Sequence, residues 1–227
     1  MKIAMLALAG LAAVANADVI TQWTFNSNPA DANTATGTLT PATGSGTAAT
    51  LAGNTQVFNS GNTNDTSSPG DNSRWSVTTF AAQGTGSGAR GVTYNVSTAG
   101  YTGISVNYWH RFSNTSNRFS QVEYTLDGST YAVFTSFENT SGGDAWNNYN
   151  VDFSSVAGAN NNASFGVRIT SIFGGAGSYV ASNSTSNYAT TGTWGFDLVT
   201  FNGTLVPTPG SVALMGLGGL LAARRRR

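Results

Sequence analysis

Cysteine is absent from the 227 residues, and histidine occurs once, as His110. No disulfide framework and no thiolate metal site can be built, and a single imidazole cannot make a multi-histidine zinc centre. Lysine also occurs once, at Lys2, and glutamate twice, at Glu123 and Glu138. Charged residues make up only 9% of the chain. From residue 18 to 206, five arginines (74, 90, 111, 118 and 168) face ten acids, a net charge of −5. Neutralising phosphates needs clustered lysine or arginine, so nucleic acid is excluded as a partner class. What fills the chain instead is Asn, Thr, Ser and Gly, a composition that solvates a surface through neutral hydrogen bonds.

The two ends differ from the body. The chain starts MKIAMLALAGLAAVANADV. Lys2 is a positive leader, Ile3 to Val14 an apolar run, and Ala15-Asn16-Ala17 a small-residue cleavage site, which together predict a signal peptide over 1–17 and export of the chain from Asp18 onward. The other end reads VPTPGSVALMGLGGLLAARRRR, from Val206 to Arg227. Its apolar stretch, Ser211 to Ala223, would be about 20 Å long as a helix. A bilayer core of ~30 Å wants ~20 apolar residues. Gly216, Gly218 and Gly219 weaken the helix further. The expectation is a short apolar helix that makes transient membrane contact, with Arg224, Arg225, Arg226 and Arg227 on the cytoplasmic side. An ordinary short C-terminal anchor is the alternative.

Signal peptide, Pro207-Thr208-Pro209, glycine-bearing helix and terminal arginines together resemble the PEP-CTERM sorting signal of exported bacterial proteins. The resemblance implies recognition by a membrane-embedded exosortase-type enzyme, a cut near the proline motif, and delivery to the cell surface or an extracellular polysaccharide matrix. The sequence departs from that pattern at Thr208, where the family most often has Glu.

The body, 18–205, reads as one all-β domain. GISVNYWHRF (103–112) alternates, with Ile104, Val106, Tyr108, His110 and Phe112 on one face and Ser105, Asn107, Trp109 and Arg111 on the other. Comparable short runs occur at 19–25, 74–80, 90–96, 119–126, 131–137, 146–153, 164–173 and 194–201. Asp127-Gly128 marks a hairpin. Asn26 to Gly70 reads as long loops around short strands. Nine or ten strands with no amphipathic helix predict an antiparallel two-sheet β-sandwich, with jelly-roll topology preferred. Residues 90–203 resemble the jelly-roll, lectin-like ectodomains often joined to PEP-CTERM tails, which implies fold more than activity.

Candidate chemistry is sparse. His110 shares the apolar face of its strand, which predicts a satisfied, buried histidine, and no G-x-S-x-G elbow accompanies it. Glu123 and Glu138 could serve a glycosidase only if their carboxyls stood ~5–9.5 Å apart; otherwise they are charges on a solvated face. GSGARG (86–91) precedes a strand rather than a helix, so it is a turn and not a pyrophosphate site. No cofactor is expected. NDTSSPGDN (64–72) brings Asp65 and Asp71 together as oxygen ligands that could take calcium, or simply as a hydrophilic turn. The polar side of 103–112 is the best binding candidate. Trp109 offers a flat ring to sugar C–H groups, and Arg111 and Asn107 offer hydroxyl partners, with Gln121 and Glu123 expected on a neighbouring strand. These readings make the chain an exported, non-enzymatic, structural or adhesive β-sandwich with weak carbohydrate contact and extracellular polysaccharide as partner. A polysaccharide-active hydrolase and a dedicated lectin module are the alternatives.

Overall fold

The computed structural model describes residues 17–51 and 53–207. Most of the signal-peptide reading, Ala15 included, falls outside them, as do Thr208, Pro209, the apolar helix and Arg224 to Arg227; Ala17 and Pro207 are described, and both are exposed. Among the described residues no helix is long and apolar enough to cross a membrane.

Eleven strands form two antiparallel sheets. In chain order they are β1 (Asp18–Trp23), β2 (Thr47–Thr50), β3 (Thr55–Ser60), β4 (Ser73–Thr78), β5 (Gly91–Asn95) and β6 (Tyr101–Phe112), followed by β7 (Phe119–Thr125), β8 (Tyr131–Glu138), β9 (Trp146–Asp152), β10 (Gly166–Ser171) and β11 (Trp194–Leu205). One sheet has six strands in the order β3-β4-β11-β6-β9, with β1 also on β11; the other runs β2-β5-β10-β7-β8. All nine strand readings have counterparts. The segment read as long loops around short strands carries two of them, β2 and β3, and few of their side chains reach the core.

Strand alternation builds the interior as the period-2 rule requires. On β6, Ile104, Val106, Tyr108, His110 and Phe112 are buried, and the residues between them are half-buried or exposed. They pack with Trp23, Trp75, Trp194, Phe196 and Phe201 from the same sheet and with Tyr94, Val122 and Val167 from the facing one. The three core tryptophans each donate their indole N–H to an oxygen: Leu39 O at 2.8 Å, Gln56 Oε1 at 2.9 Å and Asn117 O at 2.9 Å. Burying such rings contributes about 2–3 kcal/mol apiece without leaving a stranded donor. The β7–β8 hairpin closes over Asp127, whose carboxylate accepts the N–H groups of Ser129 and Thr130, and these bonds hold it well below the usual carboxylate range. Leu126, just past β7, is exposed at the hairpin's mouth.

β11 is interrupted. Its first residues pair with β4 through Trp194–Phe196, and its later ones pair with β1 through Val199–Gly203. Between them the register against β6 shifts from Asp197 to Thr200, and Leu198 takes a positive φ of 48°. One bulged strand therefore serves three neighbours.

His110 is buried but not satisfied as expected. Neither ring nitrogen meets a protein hydrogen-bond partner, and the ring lies 3.8 Å from Phe112, 4.4 Å from Phe196 and 4.8 Å from Trp194, centroid to centroid. Burial holds its pKa well below the ordinary 6.5. The unfolded chain takes up a proton below about pH 6.5 and the folded ring does not, so stability is lost as pH falls under that value. His110→Phe removes this dependence. In urea unfolding at pH 7.5 and pH 5, the variant should gain on the wild type by up to about 1.4 kcal/mol per pH unit below 6.5. An unchanged gap between the two proteins at both pH values would refute the assignment.

Candidate functional site

Alternation that sends one half of β6 into the core sends the other half out of the six-stranded sheet. Trp109 stands in register between Asp197 of β11 and Asn148 of β9, and Arg111 between Gly195 and Trp146. Trp109, Arg111 and Asn107 thus lie together on the face away from the core, each half-buried. Three more residues join them. Trp146 and Asn148 come from β9, where inward Tyr149 and Val151 already imply by alternation that 146 and 148 point outward. Arg74 comes from β4, beside inward Trp75, and its guanidinium carbon lies 6.0 Å from the Trp146 ring centroid.

The five tryptophans therefore divide into two groups. Trp23, Trp75 and Trp194 are fully buried with their N–H groups used. Trp109 and Trp146 are half-buried on the outer face, and among the described residues neither donates its N–H within the chain. Beside them Asn107 and Asn148 exchange amide hydrogen bonds of 3.0 and 3.1 Å, which flattens both side chains against the sheet.

Arginine positions are set by neutral acceptors and one acid. Arg111 Nη2 pairs with Asp144 Oδ1 at 2.6 Å, and Asn114 donates to the other oxygen at 2.6 Å. Arg74 donates from Nε to Ser76 Oγ at 3.0 Å and from Nη1 to the Ser60 carbonyl at 2.5 Å. Burial, with the nearby Arg111 charge, lowers Arg74 to about 10. Gly195 lies beneath: a Cβ there would stand 2.7 Å from Arg74 Cδ and 3.5 Å from Arg111 Cβ.

Under one edge of this face is Asp197, fully buried at the β11 bulge. Its Oδ2 accepts Asn62 N–H at 2.6 Å and its Oδ1 accepts Leu198 N–H at 2.8 Å. The loop above it comes so close that a Cβ on Gly61 would meet Asn72 Oδ1 at 1.9 Å and Asp197 Oδ2 at 2.7 Å. Burial dominates and raises Asp197 to about 8, helped by the Asp65 charge and opposed by the two N–H donors and Arg74.

Asp65 and Asp71 are both buried and act within the loops. Asp65 accepts Asn26 Nδ2 at 2.8 Å and both the N–H and the hydroxyl of Ser67, at 2.8 and 2.6 Å. Asp71 accepts the N–H groups of Asp31 and Asn33 at 3.2 Å each. Among the described residues no three His, Cys, Asp or Glu side chains gather where they could hold a metal ion. A cleft nearby, about 430 Å³, is lined by residues such as Asn26, Asn28, Pro41 and Ser67 and presents no titratable side chain.

Gln121 and Glu123 are not beside Trp109. β7 belongs to the opposite sheet, because the chain crosses the sandwich after β6. Glu123 is also buried rather than solvated. Its Oε2 takes Nε and Nη2 of Arg168, at 2.6 and 2.5 Å, and its Oε1 takes Gln121 Nε2 and Thr170 Oγ1, at 2.9 and 3.1 Å. Arg168 covers the pair and stacks on Tyr131 at 4.3 Å. Glu138 pairs with Arg118 at 3.5 Å near the surface. Glu123 opposes Val133, five residues back along β8 from Glu138. At about 3.4 Å per residue that is roughly 17 Å, too far for a glycosidase pair. His110, ringed by aromatics, has no hydroxyl or carboxylate partner among the described residues.

No family model matches the chain, and no curated protein matches it. It is similar to several solved structures. The CBM22-1–GH10 modules of a Clostridium thermocellum endo-1,4-β-D-xylanase, complexed with xylohexaose, share 12% identity over 69% of this chain and 26% of that one, at a TM-score of 0.45. The CBM22-1 xylan-binding domain from Paenibacillus barcinonensis shares 9% over 86% of this chain and 100% of that one, at 0.46. A family 11 carbohydrate-binding module from Clostridium thermocellum, in complex with a β-1,3-1,4-mixed-linked tetrasaccharide, shares 11% over 84% and 100%, at 0.39. The chain spans only about a quarter of the first of these structures.

Asp197 gives the site a pH signature. Its folded pKa, about 8, lies above the ordinary 3.8, so the folded state holds a proton that the unfolded chain releases. Its stabilisation is complete below about pH 4 and is lost as pH rises through 8. Denaturant midpoints of the wild type should fall between pH 6 and pH 9, by up to about 1.4 kcal/mol per pH unit. Asp197→Asn should flatten that slope, whatever it costs in absolute stability. Equal slopes in the two proteins would show that Asp197 ionises normally.

Proposed function

We propose that this chain is an exported, non-enzymatic β-sandwich of jelly-roll type that acts at the cell surface or in an extracellular polysaccharide matrix, touching polysaccharide weakly through the outer face of its six-stranded sheet. The observation that carries the reading is the division of the tryptophans. Three indoles are sealed in the core with their donors used. Trp109 and Trp146 are spent on the outside, diagonal neighbours on adjacent strands, and among the described residues neither indole N–H is donated. Leaving two such rings at a surface forgoes their burial energy, a cost that a stacking platform for pyranose rings explains. Asn107, Asn148 and Arg111 flank the rings with the donors and acceptors that hydroxyl groups need.

A structural or adhesive role fits the rest of the chain. The separation of Glu123 from Glu138, each held by its own arginine, disfavours the hydrolase alternative. The sorting half of the proposal rests on the sequence ends: Ala15 and Ala17 for leader removal, and Pro207-Thr208-Pro209 followed by the apolar stretch and four arginines for an exosortase-type enzyme.

Two measurements test the two halves. In affinity electrophoresis against soluble polysaccharides, the wild type should be retarded by at least one of them. Trp109→Ala should lose most of that retardation, about tenfold in apparent affinity, with an unchanged melting temperature. Retention equal to the wild type would remove Trp109 from the contact. Intact-mass analysis of protein collected outside the producing cells should show a chain starting at Asp18 and ending near the proline motif. A tetra-arginine terminus on that material would refute processing.

A further inference from the structure

The Arg74–Arg111 pair on the outer face is unusual in a body of net charge −5. Both stems converge over Gly195, the one position of β11 between them that carries no side chain. Among the described residues Arg74 has no carboxylate within ion-pair distance; its bonded nitrogens go to the Ser76 hydroxyl and the Ser60 carbonyl, both neutral. Arg111 has Asp144, a rim residue whose side chain is 45% exposed. Two guanidiniums are thus held close with fewer than two counter-charges. The lowered pKa of Arg74, caused by burial and then by Arg111, reflects the same unfavourable juxtaposition. Asp197 stands opposite Trp109 on the same side of the sheet, covered by the 61–72 loop, and adds little negative charge at neutral pH while its own pKa is about 8. The Trp146 ring lies beside Arg74 at 6.0 Å.

We propose that the patch made by Arg74 and Arg111, with Arg74 lying across Gly195 and over the Trp146 ring, is a subsite for the carboxylate of a uronic acid residue in an extracellular polysaccharide. This rests on the carbohydrate-contact reading of the same face and names the sugar class it selects. A pyranose stacked on Trp146 would carry its equatorial carboxylate toward the guanidiniums. Two planar oxygens match the fork of Arg74, and the added charge relieves the repulsion between the arginines. Gly195 keeps the floor low, so the Arg74 side chain lies across the strand instead of standing into solvent.

The test compares an oligogalacturonate with its carboxyl-reduced, neutral counterpart, using the full mature domain and titration calorimetry. The wild type should prefer the acidic sugar by about tenfold, the scale of one half-exposed charge-assisted hydrogen bond pair. That preference should shrink as salt rises from 0.05 to 0.5 M. In Arg74→Gln the acid-to-neutral ratio should fall to about one. Gly195→Ala keeps both charges but pushes Arg74 aside, and it should lower the ratio too; melting curves check that both variants fold. Equal affinity of the wild type for the two sugars, or a preference that survives Arg74→Gln, overturns the subsite while leaving the carbohydrate reading intact. If neither sugar binds and Trp109→Ala retains wild-type polysaccharide retardation, both readings fall together.

Discussion

Much of this structure depends on the bulge in β11 between Asp197 and Thr200. β11 pairs with β4 along its first residues and with β1 along its later ones while keeping β6 on its other side, and the bulge falls where one partner gives way to the next. Turning Leu198 to a positive φ changes the strand's course, and the Asp197 carboxylate secures the turn by accepting the Leu198 N–H. Its second oxygen reaches the Asn62 N–H and so fastens the 61–72 loop to the middle of the sheet. Backbone geometry, loop placement and the ionisation of one acid are thus a single device. That is why a buried carboxyl persists here despite the cost of removing it from water.

The same strand shapes the outer face. Because Gly195 immediately precedes the bulge region, the sheet has a low point where Arg74 and Arg111 meet. The tryptophans rise from β6 and β9, both on the same side of β11. Rigid strands hold all these groups, so the spacing of rings and charges is fixed before any ligand arrives. The opposite sheet shows what a closed polar cluster looks like. There Glu123 accepts from Arg168, Gln121 and Thr170, and the arginine neutralises it. The contrast between the two faces is electrostatic: on one, Arg74 has no ion-pair partner among the described residues, and on the other an acid is neutralised.

Much of the fold was legible in the sequence because alternation is a local property. The pattern of 103–112 assigned each residue of β6 to the core or to the outside, and the structure agrees position by position. Where apolar residues are few, as in β2 and β3, alternation had nothing to mark, and strand formation there follows from pairing with β5 and β4. His110 was legible as buried. That it would lack a partner was not, because hydrogen-bond satisfaction depends on residues far along the chain.

Sequence alone determined the low charge, the lack of thiols, the strand faces, and the unlike character of the two ends. Each of these is set by residue type and near-neighbour spacing. Which strands share a sheet was decided only by the tertiary structure: it placed Glu123 across the sandwich from Trp109, brought Arg74 to Arg111 over Gly195, and sank Asp197 beneath a distant loop. The reason is physical. A strand's own pattern tells it which side faces oil and which faces water, but its neighbours are chosen by packing two whole sheets against each other.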